Sequence, residues 1–224
     1  MKNKIIFMLF IMLFSFFQNI KAQEVDLAKN AKSAILIEVS TGQILWEKNA
    51  HEKLAPASMT KMMGMLLVLE SIDKGNLKWD QMITVSENAS SMGGSQILLE
   101  TGEQMSVDDL FKGVAVASGN DAIVALGEAI AGSEEMFVKM MNDRASELGL
   151  NETNFKNPHG LDAENHYSSA HDMALIALEL VKHEKVLEYT GIYEDYLRKG
   201  TPKEFWLVNT NKPVYKNYYS KYLL

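Results

Sequence analysis

The sequence predicts an α/β protein of the α+β kind, in which a group of helices is carried by an antiparallel hairpin near the start of the chain. Two β-rich runs flank a short glycine-containing turn at residues 33–47. Helical patterning with capping signals then dominates to about residue 181. With 47% hydrophobic residues in a chain of 224, there is enough apolar material for one core. No internal repeat and no obvious domain linker interrupts this plan.

Residues 1–22 read as an export leader. Lys2 and Lys4 precede a run from Ile5 to Phe17 that is apolar except for Ser15, and Gln18, Asn19, Lys21 and Ala22 come after it. The run is short for a transmembrane helix, so a signal peptide cut after Ala22 is expected. Ile20 departs from the small-residue rule three positions before the cut, which keeps an uncleaved anchor open. Either way the remainder is expected to be extracytoplasmic, secreted or at the outer face of the cytoplasmic membrane, with no evident anchor in the mature part.

The leader takes three of the 22 basic residues and none of the 29 acidic ones, so the mature part is about ten charges negative. That disfavours nucleic acid and offers no basic face to anionic lipid. There is no cysteine, which excludes disulfides, thiolate chemistry and cysteine zinc sites. An exported chain without disulfides must stand on its core, and about 200 residues ordinarily suffice.

The first strand is expected over Ser33–Glu38 and the second over Gln43–Glu47, with Val39-Ser40-Thr41-Gly42 as the turn. After Pro56 the period changes: Ser58 is expected to cap a helix with an apolar body, Met62–Ile72, closed by Gly75. So little polar surface predicts burial on most sides, with Met62, Met63 and Met65 as core filling. Ser90–Gly94 and Glu100–Glu103 read as turn-rich connections.

Ser106-Val107-Asp108-Asp109 resembles a capping box before a helix over Leu110–Ala117. Ser118-Gly119-Asn120 interrupts it before a second helical run to Ile130. Glu134–Leu148 is a further amphipathic helix closed by Gly149, Asn151–Asn165 has loop composition, and Ser169-Ala170-His171-Asp172 caps a helix to about Val181. Phe205–Val208 reads as a strand, Asn209-Thr210-Asn211 as a turn, and Tyr215–Leu224 has no convincing period.

Chemistry is concentrated at Ser58-Met59-Thr60-Lys61. Helical rise places a lysine three positions on beside the serine hydroxyl, and a partly desolvated lysine can serve as its base. Ser58 would attack a carbonyl and Lys61 would take its proton, at a helix N-terminus whose free N–H groups favour developing negative charge. Ser118 could relay a proton to a leaving nitrogen and Asn120 could hold a substrate amide if their loop faces Ser58. Ser95 and Gln96 could line the same cleft. Plainer readings stay open: an N-cap serine with a surface lysine, and a helix break followed by Asp121 as a first-turn acid. His159 and His166, with Asp162 or Glu164, lack fixed ligand spacing, so no metal is expected.

Several segments together carry a resemblance. They are Leu54-Ala55-Pro56-Ala57-Ser58-Met59-Thr60-Lys61, Gly93-Gly94-Ser95, Val107-Asp108-Asp109-Leu110-Phe111-Lys112-Gly113 and Ala117-Ser118-Gly119-Asn120-Asp121-Ala122. Phe155-Lys156-Asn157-Pro158-His159-Gly160-Leu161 and His166-Tyr167-Ser168-Ser169-Ala170-His171-Asp172-Met173-Ala174 continue them. In this order, over roughly residues 25–212, the chain resembles the low-molecular-mass penicillin-binding proteins that are serine-type D-alanyl-D-alanine carboxypeptidases.

The resemblance implies a β-lactamase/D,D-peptidase-like fold, with residues 23–224 as its catalytic domain and about 76–180 as most of its helical region. It implies Ser58 as nucleophile, Lys61 as general base, and Ser118 with Asn120 as the second active-site motif. The implied substrate is a peptidoglycan stem peptide ending in D-Ala-D-Ala, with β-lactams as acylating mimics and no metal or organic cofactor. Family members continue past an Asn-Thr-Asn-Lys-like segment, here Asn209–Lys212, into a Lys-Thr-Gly strand that binds the substrate carboxylate and helps form the oxyanion hole. No Lys-Thr-Gly occurs among these 224 residues. The expectation is therefore a truncated domain with an incomplete sheet, a raw hairpin edge prone to association, and doubtful turnover. The alternative is a noncatalytic envelope protein that binds peptidoglycan or a partner; a β-lactamase fits the run of segments less well.

Overall fold

The computed structural model describes residues 26–211. The leader and the segment beyond Asn211, where a signal peptide and an aperiodic tail are expected, lie outside the described residues. Of the described residues, 26–31 belong to one unit and 32–211 to another, which holds all the described strands and helices.

Strands β1 (Ala34–Ile37) and β2 (Ile44–Lys48) pair antiparallel where the sequence places a hairpin. The Glu38 carboxylate ties the turn, accepting from the N–H and hydroxyl groups of both Ser40 and Thr41. Those four donors hold the acid down to a pKa of about 2.

Helix α1 (Lys61–Asp73) comes next, but Ser58 does not cap it. A 3-10 turn, Ala57–Thr60, intervenes, and Thr60 holds the N-cap position without a side-chain cap bond. Nine of the thirteen residues of α1 are buried, from Met63 to Leu69 without a break. Each large apolar side chain so removed from water contributes roughly 1.5–3 kcal/mol before entropy is charged against it.

Strands β3 (Met82–Thr84) and β4 (Gln104–Ser106) pair antiparallel around a short helix α2 (Glu87–Ser90). Helix α3 (Val107–Ala117) starts at Ser106, whose hydroxyl accepts from the Asp109 N–H as the capping box predicts. Helices α4 (Asn120–Ala131) and α5 (Glu134–Glu147) come after it, and the predicted loop then leads to α6 (Ala170–Leu180), capped by Ser169. Helix α7 (Glu184–Thr190) precedes an antiparallel pair, β5 (Glu194–Leu197) and β6 (Phe205–Val208).

The described strands form three separate two-stranded antiparallel sheets, and helices make up most of the body. Helix α1 packs against α3, α4, α5 and α6. Glycine allows the closest approaches: a Cβ at Gly127 would sit 2.3 Å from the Phe137 ring, and one at Gly64 would sit 2.8 Å from Ile123 Cδ1. A ring cluster of Trp79, Phe111 and Tyr189 joins α3 to α7, with the Tyr189 hydroxyl donating to the Asp108 carboxylate. Among the described residues no helix is long and apolar enough to cross a membrane.

Candidate active site

The turn before α1 is where backbone freedom is given up. Ala57 has φ +49, a left-handed conformation uncommon for a residue with a Cβ. It is held from outside by Gly160, itself at φ +87, whose missing side chain is what lets the two backbones meet: a Cβ there would lie 1.8 Å from the Ala57 carbonyl oxygen. The loop Asn157–Gly160 thus clamps the turn carrying Ser58. Asn157 Oδ1 accepts from the Gly160 N–H at 2.6 Å, and Asn157 Nδ2 donates to the Leu161 carbonyl at 2.8 Å.

Lys61, at the first position of α1, is 2% exposed. Its Nζ donates to Ser58 Oγ at 3.2 Å and to the His159 carbonyl at 2.8 Å. Burial of the ammonium lowers its pKa from the usual lysine range to about 8, although the buried Asp121 carboxylate pulls in the other direction. Near neutral pH an appreciable fraction of Lys61 is therefore an unprotonated amine beside the serine hydroxyl. A Ser-x-x-Lys pair needs that neutral amine, and burial supplies it.

A cavity of about 600 Å³ opens at this pair. Ser58, Lys61 and Ser118 share its wall with apolar groups including Ile35, Met62 and Met173. Ser118 closes α3 at φ +59 and ψ 35, a left-handed cap that turns the chain out of the helix. Its hydroxyl has no hydrogen-bond partner among the described residues. The end of β6 reaches the same cavity through Asn209, Thr210 and Asn211. Asn209 is anchored by donating Nδ2 to the Thr190 and Ile192 carbonyls, and the Thr210 N–H donates to the Val116 carbonyl.

Asn120 is placed differently from the other three candidates. It is 3% exposed and does not line the cavity. Its N–H donates to the Ser95 carbonyl and its Nδ2 to the Gly93 carbonyl, both at 2.7 Å, so it fastens the Gly93–Ser95 turn to the start of α4. Next to it, Asp121 accepts from the N–H groups of Ile97, Leu99 and Ala122. Ser95 and Gln96, for which the sequence allows either a place in the cleft or a tight turn, do not line the cavity.

The two histidines of the Asn151–Asn165 loop and its edge are committed to roles other than metal binding. His166 accepts the Lys156 N–H at Nδ1, so its Nε2 carries the proton and donates to Thr60 Oγ1 at 2.9 Å. Both ring nitrogens are thus used to brace the Ser58 turn. His159 accepts the Leu161 N–H at Nδ1 and is held neutral, its pKa lowered to about 4 by burial and by the Lys61 charge. Residue types could not point to the His159 contribution, because the group that meets Lys61 is a backbone carbonyl. Gly160 lies within a motif segment that assigns it no role, while Asp121 is the first-turn acid of the plainer sequence reading and also accepts from the Ile97 and Leu99 N–H groups.

The model of the D-alanyl-D-alanine carboxypeptidase family matches residues 19–223. The D-alanyl-D-alanine carboxypeptidase DacF of Bacillus subtilis is 60% identical over 189 residues, which cover 84% of this chain and 49% of that protein. The crystal structure of penicillin binding protein 6B from Escherichia coli superposes with a TM-score of 0.78 at 34% identity, covering 84% of this chain and 60% of that one. Penicillin-Binding Protein D2 from Listeria monocytogenes, in its ampicillin-bound form, gives a TM-score of 0.70 at 31% identity over 82% of this chain and 74% of that one. The chain spans about half the length of the curated relatives it matches.

Proposed function

Because the chain belongs to the D-alanyl-D-alanine carboxypeptidase family, we propose that its Ser58 centre opens the terminal peptide bond of D-Ala-D-Ala ends of peptidoglycan stem peptides through a covalent acyl-enzyme. The observation that carries this reading is the Lys61 amine, desolvated to a pKa of about 8 and 3.2 Å from Ser58 Oγ at the wall of a cavity.

Neutral Lys61 takes the hydroxyl proton as Ser58 Oγ adds to the penultimate D-alanine carbonyl. Ser58 lies in the turn just before α1, and the helix N-terminus would favour negative charge developing on the attacked carbonyl oxygen. Collapse breaks the C–N bond, and the departing D-alanine nitrogen receives the proton that Lys61 holds, directly or through Ser118. Water then attacks the ester carbonyl, Lys61 accepts its proton, and Ser58 leaves carrying one. Asn120 does not line the cavity, so its share in the site would be to hold the Gly93–Ser95 turn to the start of α4 rather than to touch substrate. β-Lactams would acylate Ser58 by the same addition. None of these steps calls on a metal, and the donor to the substrate carboxylate is assigned to no residue of this chain.

Incubation of the folded chain with a peptide ending in D-Ala-D-Ala is expected to release D-alanine, and Ser58→Ala is expected to stop it. Absence of both D-alanine release and a covalent penicillin adduct from folded wild-type protein would overturn the reading. Retention on peptidoglycan that is indifferent to Ser58→Ala would then favour a noncatalytic binding protein.

A further inference from the structure

Away from the Ser58 cavity, the turn after β2, the loop after α5 and the first turn of α6 bring two imidazoles and a carboxylate together. His51, Glu152 and His171 each offer a ligand atom, all within 4.8 Å of one another. His51 Nδ1 lies 3.6 Å from Glu152 Oε2, and the His51 and His171 rings stand 4.5 Å apart with a tilt of 32°.

The backbone beneath them is tied in place. The His171 N–H donates to the Ala50 carbonyl at 2.9 Å, and the Glu152 N–H donates to Asp172 Oδ2 at 2.9 Å. Asp172 is fully buried and also accepts from Thr153 Oγ1. Its other oxygen, Oδ1, lies 3.3 Å from His171 Nδ1. A carboxylate behind an imidazole favours the tautomer with hydrogen on Nδ1, which leaves Nε2 free to ligate; this is the support that metal-bound histidines ordinarily have.

We propose that His51, Glu152 and His171 form a binding site for a divalent transition metal, zinc in the first instance, separate from the acylating serine. Two imidazole nitrogens and one carboxylate oxygen are the donors a borderline-soft ion takes, whereas calcium and magnesium favour oxygen alone. The 3.6 Å between His51 and Glu152 is near the roughly 3.3 Å that separates adjacent ligands around tetrahedral zinc. The His51 side chain is 58% exposed, so it can turn into place without disturbing the core. Water would complete the coordination. An ion pair would account for His51 and Glu152, but it leaves the second imidazole, backed by its own buried carboxylate, without a purpose. A bound ion would link three elements distant in sequence and stabilise the folded chain by mass action.

Calorimetric titration and thermal melting of the chelator-stripped full chain, with zinc chloride or magnesium chloride, test the site. Zinc and not magnesium is expected to bind one per chain and to raise the melting temperature by several degrees. His51→Gln, at an exposed position, and Glu152→Gln, at a half-buried one, are each expected to remove the zinc effect, read against each variant's own metal-free melting. No zinc-dependent shift in the wild type would overturn the proposal. So would a shift that survives both substitutions, since that would place the ion elsewhere on the chain. None of these readouts depends on carboxypeptidase activity.

Discussion

Two regions of helix α1 show opposite uses of burial. From Met63 to Leu69 the helix buries apolar side chains against α4, α5 and α6, and closeness of packing is what matters. At Lys61 the same helix buries an amine, and the surroundings that hold it include a left-handed alanine, a glycine packed on its carbonyl, the His166 ring as a brace and the His159 carbonyl as an acceptor. The first region gains stability from being dry. The second gives stability up, because a group that would rather be charged is kept partly neutral. What distinguishes them is which substitutions each can accept.

The largest difference should appear at Lys61. Lys61→Met keeps the volume and removes the base, so β-lactam acylation is expected to fall by about 10²–10⁴-fold. Stability should rise or hold, since the methionine carries no charge to desolvate. In the wild type, acylation measured against pH should climb as pH passes about 8. The folded pKa lies below the unfolded one, so the unfolded chain binds more protons between about 8 and 10.5. The Lys61 contribution therefore makes stability increase with pH across that window, and a Lys61→Met chain should lack that increase.

Next comes Gly160→Ala, where the new Cβ has no room against the Ala57 carbonyl and the backbone conformation is itself strained. Acylation is expected to be lost even in molecules that remain folded, as read by adduct formation alongside circular dichroism. Gly127→Ala overpacks the other region, against the Phe137 ring, and is expected to cost about 1–3 kcal/mol by denaturant titration while adduct formation by the folded fraction is unchanged. If Gly127→Ala abolished acylation as Gly160→Ala does, the separation between the apolar packing and the serine site would fail. The smallest effect is expected at Asp143→Asn, which breaks an exposed pair with Lys139 and should alter stability by no more than about 0.5 kcal/mol.

Most of the helices could be read because their signals are local. Ser106 and Ser169 cap α3 and α6 as their spacing implies, and Gly149 comes after α5 in the left-handed conformation. The hairpin at 34–48 is likewise short-range. Strands β3 and β4 have three residues each, too few for a period, and the charged pattern of Glu194–Leu197 hides β5. Ser58 reads as a cap from sequence but is not one, because a proline-led 3-10 turn and a left-handed Ala57 depend on Gly160, which lies about 100 residues away. For the same reason Ser58, Lys61 and Ser118 could be nominated from sequence, whereas the His159 carbonyl and the clamping loop could not. The His51, Glu152 and His171 cluster is assembled from three separated segments and has no motif.

The most direct test of the acylating centre is intact-mass detection of a covalent penicillin adduct on the folded chain, with Ser58→Ala and Lys61→Met beside it. One adduct per wild-type chain is expected, with none on Ser58→Ala and only slow labelling of Lys61→Met. An unlabelled wild type, or labelling that persists in Ser58→Ala, would contradict the assignment of Ser58 as the acylated residue and Lys61 as its base.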